Sequence, residues 1–502
     1  AFTKKYGRKQ TIGRVQTPTL AMLAERQAKI QNFVKEPYYK VELSGAGVVA
    51  VSEQMTQEQD ADTVQAACDG QCAVVGSIER KRIEKKPPKL YDLTTLQREA
   101  NRYYGLPASQ TLQALQELYE EKLVTYPRTD SQFVTEDMRK TVESLVLALD
   151  GTAAGVSCVI NNSRVTDHHA ILPTMQGVNC NRERLSETNR KVFSLVIWKL
   201  VQAVQSPFIY EDVLVTVCCQ GQNFTAKYKD ILQPGYTAKS VPFVEPEKDK
   251  DVPLPKKMEQ GMVLPVVRAE KKQGFTSPPK VYTEDTLLSA METAGNDQFD
   301  DDTEKKGLGT PATRAGIIEK LVKSGFAERK GKSLIPTKDG CNLVCVLPEQ
   351  ITSPAMTAEW ENTLMEIERG NADADAFLSG IVRMTGDLVK AYPFLSDAEA
   401  QRFGTGKEEI GKCPRCGSPV YVGKGNFYCS NKECSFCLWE DNKFFSSKKK
   451  KLTKRIAKEL LDKGWCRVTG LYTPKKPQLY DAVIRLDDSG GKYVSFKMEF
   501  DR

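Results

Sequence analysis

The stretch Leu123-Val124-Thr125-Tyr126-Pro127-Arg128-Thr129-Asp130-Ser131 decides how this chain is read. An amphipathic helix leads into it, with Leu112, Leu115, Tyr119 and Lys122 at helical spacing. Pro127 disfavours the α region at Tyr126, which predicts that the helix ends before the tyrosine. Beyond that point the chain is extended, and in an extended chain residues i and i+2 face the same way. Tyr126 and Arg128 can then address one phosphate together. A phenol is a poor nucleophile while protonated, with a pKa of about 10. A fixed cation beside it favours the phenolate and also neutralises the charge of a pentavalent phosphorane. Attack on a nucleic-acid phosphodiester would exchange one ester for another, a near energy-neutral step that is reversible without ATP.

The rest of the chain supplies a setting for that chemistry. Its 502 residues, 40% of them apolar, can bury several cores, and the net charge of +7 is a mild basic excess that suits an acidic partner. No apolar run reaches the roughly 18 residues of a membrane span, and no signal peptide opens the chain. Several cysteines are scattered singly (Cys158, Cys180, Cys341, Cys345, Cys466), with an adjacent Cys218-Cys219 pair in a strand-like run. That is not a disulfide framework; it fits a reducing compartment with one cluster reserved for metal.

Two helix starts offer anion seats. At the first, Gly13-Arg14-Val15-Gln16-Thr17-Pro18, Thr17 reads as an N-cap and Pro18 as the first helical residue. At the second, Gly309-Thr310-Pro311-Ala312-Thr313-Arg314, Thr310 caps, Pro311 opens the helix and Arg314 adds charge. Alternation predicts strands over 38–52, 72–84 and 213–228, with more β structure near 252–267, on either side of a largely helical insert of about a hundred residues. In that insert Asp92 caps a helix to 104 whose Gln97, Arg98 and Arg102 form a polar face. Further helices cover 132–150 and 190–205, and the only two histidines of the chain, His168 and His169, lie between them. Later come a helix capped by Thr283, a hairpin over 326–336 and a helix around Trp360. The acidic run Asp300-Asp301-Asp302 reads as a loop. Cys413, Cys416 and Cys429, with Cys434 or Cys437 as fourth ligand, form a zinc-ribbon pattern. Tyr421, Phe427 and Tyr428 among Arg415 and Lys424 suit single-strand stacking. A basic run, Lys448 to Lys451, precedes a last helix and strands at 483–486 and 493–498.

Taken together, the tyrosine segment, the His168 segment, the two Thr-Pro starts and the ribbon resemble type IA DNA topoisomerases, most like the bacterial topoisomerase III branch. The resemblance covers nearly the whole chain. It implies an α+β multidomain fold, a toroid in which a β-rich arch carries a helical, winged-helix-like catalytic domain, followed by a zinc ribbon and a small α/β repeat. The implied division is a strand-gripping helical domain in two parts (1–37 and 271–405), an arch in two parts (38–88 and 207–270), the tyrosine domain (89–206), the ribbon (406–445) and the repeat (446–502). Tyr126 is implied to be the nucleophile, forming a 5′-phosphotyrosine, with Arg128 and His168 stabilising charge; His169 falls at a variable position of the family. Thr11, Gly13, Arg14, Gln16, Thr17, Asp130, Ser131, Thr310, Thr313 and Arg314 are implied to hold DNA. Ribbon spacing in the family favours Cys434 as fourth ligand.

The implied activity is an isomerase's: single-strand cleavage, strand passage and religation, relaxing negative supercoils or decatenating. Its partners would be single-stranded and underwound duplex DNA, its state a monomer, its location the bacterial cytoplasm. Two rivals are a non-catalytic zinc-ribbon binder of single strands and a conjugative relaxase. The relaxase pattern sets histidines around a hydrophobic residue, which the adjacent His168-His169 pair does not match. The sequence departs from the family in one respect. Type IA enzymes hold Mg²⁺ with the acidic cluster of a Toprim domain that precedes the Gly13-Arg14 segment, and no such cluster precedes it here. The chain therefore reads as a fragment lacking that domain. The expected outcome is single-strand binding with little or no relaxation of a supercoiled plasmid; measurable magnesium-dependent relaxation by this chain alone would contradict it.

Overall fold

The computed structural model describes residues 12–150, 155–165, 167–245, 252–294, 307–391, 409–423, 425–431, 433–473, 478–488 and 493–499. Thr11, the Asp300–Asp302 run and Lys424 lie outside the described residues. The chain divides into two compact units, one of residues 11–383 and one that includes 384–502.

The larger unit is built on a seven-stranded sheet. Its strands are β1 (Pro37–Gly45), β2 (Val48–Ser52), β3 (Ala73–Lys85), β4 (Phe208–Cys219), β5 (Gln222–Gln233), β6 (Val263–Leu264) and β7 (Arg268–Phe275), in the order β6-β3-β4-β5-β2-β1-β7. Val41, Leu43, Val213, Val215, Val217, Phe224, Ala226 and Tyr228 alternate along the strands and are all buried in one core. The helix Glu58–Cys68 covers it with Ala61, Val64 and Cys68. The sheet runs on to Phe275, past the arch boundary read from the sequence. β7 was hidden because only Ala269 of its residues is fully buried, so its sequence looks like a polar loop. Residues 252–254 form no strand; the Val252 carbonyl only accepts from Lys229 N–H at 3.0 Å.

β3 and β4 pair antiparallel from Ala73↔Cys219 to Lys85↔Phe208. Everything between them leaves and returns through that ribbon. The insert holds the helices Leu93–Tyr104, Ala108–Glu120, Arg139–Asp150 and Glu187–Ala203. Asp92 caps the first as expected, its Oδ1 accepting from Thr95 N–H at 2.6 Å. Gly105, left-handed at φ 70°, ends it. The second stops at Glu120, earlier than Pro127 alone would require, because Lys122 turns the chain with a positive φ of 61°. Its buried face is Thr111, Ala114, Leu115 and Leu118, so Leu112 and Tyr119 lie to one side of the core. The expected 132–150 helix is a 3₁₀ turn at Glu136–Met138 followed by Arg139–Asp150, with Val142, Leu145 and Val146 inward.

The polar face of helix Leu93–Tyr104 is partly buried and paired with a neighbouring helix. Gln97 is buried, and Arg98 and Arg102 reach Asp285 at 3.0 and 2.9 Å. Asp285 belongs to the helix Glu284–Thr293, capped by Thr283. Its neighbour Glu284 accepts from Ala108 N–H at 2.7 Å, satisfying an otherwise orphaned amide at the start of the helix that leads to the tyrosine. The helices Gln16–Gln31 and Pro311–Lys323, the hairpin Ala327–Lys330/Ser333–Pro336 and the helix Lys338–Val346 pack around this point.

The smaller unit has a four-stranded ribbon (Glu409–Lys412, Pro419–Val422, Asn426–Cys429, Cys437–Trp439). With it is a helix, Lys454–Lys463, and a three-stranded sheet (Trp465–Thr473, Gln478–Asp487, Ser495–Glu499). They share a core that includes Phe427, Phe436, Phe445, Leu460 and Ile484.

Gly177 is where packing tolerates least. A Cβ there would stand 2.2 Å from the Leu123 carbonyl oxygen and 3.0 Å from the Phe193 ring. Gly177→Ala is expected to destabilise the tyrosine domain by about 3 kcal/mol, read as a lower denaturant midpoint with an unchanged m-value.

Candidate active site and metal centre

The residues after Lys122 run extended, and their burial alternates: Tyr126, Arg128 and Asp130 are exposed, while Pro127, Thr129 and Ser131 are buried. This strip lies against a second extended segment, His168 to Thr174. Thr125 N–H donates to the Leu172 carbonyl and Leu172 N–H to Thr125 Oγ1, both at 2.9 Å. Thr174 N–H reaches the Leu123 carbonyl, and Ala170 N–H the Phe133 carbonyl, each at 2.9 Å. Thr129 Oγ1 donates to the His168 carbonyl at 2.9 Å, and the Thr129 carbonyl accepts from Leu93 N–H at 3.1 Å. Each such bond contributes about 1 kcal/mol net, but their number fixes the register of the two strips.

That register brings the two rings together. Tyr126 is 36% exposed, and its ring lies 4.3 Å from the His168 imidazole, centroid to centroid, at 40°. Tyr119 meets its other side edge-on at 5.7 Å. Both the phenol and the imidazole face solvent. Arg128 has no ion pair or hydrogen bond among the described residues, so its guanidinium is available to an anion. His169 points elsewhere, with Nδ1 2.7 Å from the Ala170 carbonyl. Ser131, expected at the DNA, is turned inward: its hydroxyl donates to the Arg164 carbonyl at 2.9 Å and accepts from Phe133 N–H at 3.1 Å.

The two helix starts adjoin one another. Gly309, at φ 69°, permits a turn so close that a Cβ there would meet Val15 Cγ1 at 3.4 Å. At the second start Thr310 is the cap and Pro311 the first helical residue, and Thr310 N–H donates to Thr313 Oγ1 at 3.0 Å. The first start differs from the sequence reading. Its helix begins at Gln16, and Thr17 is buried inside it, its hydroxyl accepting from Gly13 N–H at 3.0 Å. Arg14 pairs with Glu361 at 2.7 Å. Gln16 is 5% exposed, and neither atom of its amide finds a partner among the described residues.

Arg314 is the largest correction. Expected to face a phosphate, it is 3% exposed. Its guanidinium donates to the Leu308 carbonyl and to Thr94 Oγ1, both at 3.2 Å, with Glu292 at 3.8 Å. Burial pulls its pKa down, and the charges of Glu292 and Asp92 push back. Nearby Asp92 is held above the usual carboxylate range by burial, against the hydrogen bonds of Thr95 and Gln132 that favour its anion. The sequence carried no signal for this, because a first-turn arginine looks the same whichever way it turns.

The bacterial DNA topoisomerase family model matches residues 1–379. The chain belongs to the DNA topoisomerase family. It is 34% identical over 472 residues to DNA topoisomerase 3 of Bacillus licheniformis, covering 86% of this chain and 63% of that protein. The match to DNA topoisomerase 3 of Bacillus subtilis is also 34% identical, over 469 residues, covering 86% and 64%. The chain thus spans less than two thirds of the length of these relatives. Among solved structures, full-length topoisomerase I from Thermotoga maritima aligns with a TM-score of 0.61 at 22% identity, covering 85% of this chain and 70% of that one. The fold is that of a type IA topoisomerase, with mixed helix and sheet. Neither rival reading is favoured. No helix among the described residues is long and apolar enough to cross a membrane.

The smaller unit holds a metal-ligand constellation. The sulfurs of Cys413, Cys416, Cys429 and Cys434 all lie within 4.8 Å of one another, with Cys413–Cys434 at 3.7 Å and Cys416–Cys429 at 3.4 Å. Thiolates at about 2.3 Å from a tetrahedral zinc stand about 3.8 Å apart, so the set is compatible with zinc. Cys437 is outside it, on the strand opposite Tyr428. Among the described residues this is the one converging group of three or more His, Cys, Asp or Glu side chains. Cys434→Ser is expected to lower the zinc retained after dialysis, and Cys437→Ser to leave it unchanged, as measured by metal analysis of the purified protein.

Proposed function

We propose that this chain supplies the cleavage and religation site of a type IA DNA topoisomerase acting on single-stranded and underwound DNA. The alternation of exposed Tyr126, Arg128 and Asp130 along one strip, with the His168 imidazole against the phenol, is the observation that supports it most. In this reading Tyr126 Oη attacks a backbone phosphorus. The P–O bond to the 3′ oxygen breaks, the 5′ phosphate stays on the tyrosine, and the strand leaves with a free 3′-hydroxyl. Arg128 neutralises the phosphorane; His168 donates to a phosphate oxygen or relays the phenolic proton towards the departing oxygen. Religation is the same step reversed.

The strand's path follows from the helix starts. Gly13, Arg14 and Gln16 on one side and Thr310 and Thr313 on the other are read as the two sides of an anion seat, with Asp130 a further strand contact on the tyrosine strip. An unsatisfied buried amide such as Gln16 is costly in the free protein and gains bonds when a nucleotide arrives. The gripping, arch, tyrosine, ribbon and repeat roles of the domains belong to this proposal, as do the monomeric state and a cytoplasmic site of action. Zinc in the four-cysteine ribbon would be structural. Magnesium is a different matter. Its hard, oxygen-only preference is not met by four thiolates, and no step here is routed through it.

A single-stranded suicide oligonucleotide tests the reading. Wild-type protein, supplied in trans with the magnesium-binding segment of an intact relative, is expected to yield a covalent adduct that survives denaturation. Tyr126→Phe should yield none while binding the oligonucleotide within about twofold of wild type. Adduct on the phenylalanine variant, or none on the wild type, would sink the assignment.

A further inference from the structure

We infer that Arg314 is a positioning residue that couples the strand seat at the second helix start to the tyrosine strip. The inference deepens the functional reading above and rests on it. Arg314 sits one turn into the helix Pro311–Lys323, whose exposed start carries Thr310 and Thr313. Its guanidinium crosses out of that helix to Thr94 Oγ1 at 3.2 Å, in the turn that opens the helix Leu93–Tyr104. The residue before Thr94 is Leu93, whose N–H holds the Thr129 carbonyl at 3.1 Å. The Thr129 hydroxyl in turn holds the His168 carbonyl at 2.9 Å. The residue before Leu93 is Asp92, whose Oδ2 accepts from Gln132 Nε2 at 2.8 Å, just beyond the strip. One guanidinium thus pins the turn from which both ends of the 129–132 segment are hung.

The physical case for a positioning role has two parts. A buried cation is poor material for general stability, since its desolvation offsets most of what its bonds contribute; its use is to specify one arrangement over others. A flat, forked donor also reaches two acceptors at a fixed angle, here the Leu308 carbonyl of its own helix start and Thr94 of the tyrosine domain. A strand that seats at Thr310 and steadies the turn 308–310 therefore steadies Thr94, and through it the carbonyl of His168.

Arg314→Met and Thr94→Val test this by two readouts that need no cleavage. The first is hydrogen exchange at the amides of 129–133 and 168–172, expected to quicken about tenfold in each variant, with the double variant no faster than either single. The second is the salt dependence of oligonucleotide affinity. A lost phosphate contact would make the slope of log K against log salt shallower by about 0.7; the slope is expected to stay as in wild type. Should Arg314→Met fail to fold, Thr94→Val and Arg314→Lys carry the same comparison. Unchanged exchange in the folded variants, or a shallower slope in an Arg314 variant, overturns the inference. Complete absence of adduct in every form, wild type included, counts against the functional reading instead and leaves the exchange result standing.

Discussion

The site depends on two short extended segments lying side by side. Neither 123–131 nor 168–174 is a strand of a sheet, and neither would hold its shape alone. They hold because each supplies the other's backbone partners, with the threonine hydroxyls at 125 and 129 filling the gaps. The alternating exposure of Tyr126, Arg128 and Asp130 follows from that pairing. So does the contact between the phenol of Tyr126 and the imidazole of His168, which are distant in the chain. A slip of one residue would turn the tyrosine into the core and bring Thr125 or Pro127 to the surface.

Around that pair, polar groups tie the helices Leu93–Tyr104 and Ala108–Glu120 to the rest of their unit. Glu284 takes the Ala108 amide and the Arg329 guanidinium; Asp285 takes Arg98 and Arg102; Glu319 takes Arg329 and Ser109. Such a seam gives orientation at little net free energy, because each charge loses hydration as it gains a partner. An apolar seam of the same extent would be harder to part and less exact in register.

Much of this was legible in the sequence, for stated reasons. Local signals with a fixed geometry read correctly: the caps at Asp92, Thr283 and Thr310, the alternating valines of β4, and the four-cysteine spacing. The expected i, i+2 relation of Tyr126 and Arg128 holds because Pro127 and a left-handed Lys122 keep the segment out of the helix. What escaped was decided by neighbours distant in sequence. Thr17 reads as a cap, yet Gly13 folds back on its hydroxyl and starts the helix sooner. Arg314 turns inward because Thr94 and Glu292 wait there. The strand Trp465–Thr473 was missed because its register shifts between Val468 and Leu471, which breaks the two-residue rhythm after Cys466 and Val468.

The pairing of β1 with β7 has a consequence for how the protein is made. Pro37 lies opposite Phe275, so the sheet's last edge cannot join until the ribosome has passed that point, on the order of ten or more seconds after β1 emerges at about 5–20 residues per second. The tyrosine-bearing insert, whose ends meet at the β3–β4 ribbon, is synthesised wholly within that interval. Its compact helices can mature first, while β1 and β2 remain an open template with an unclaimed edge. During that window the nascent chain is most exposed to wrong partners, and a chaperone has the most to shield.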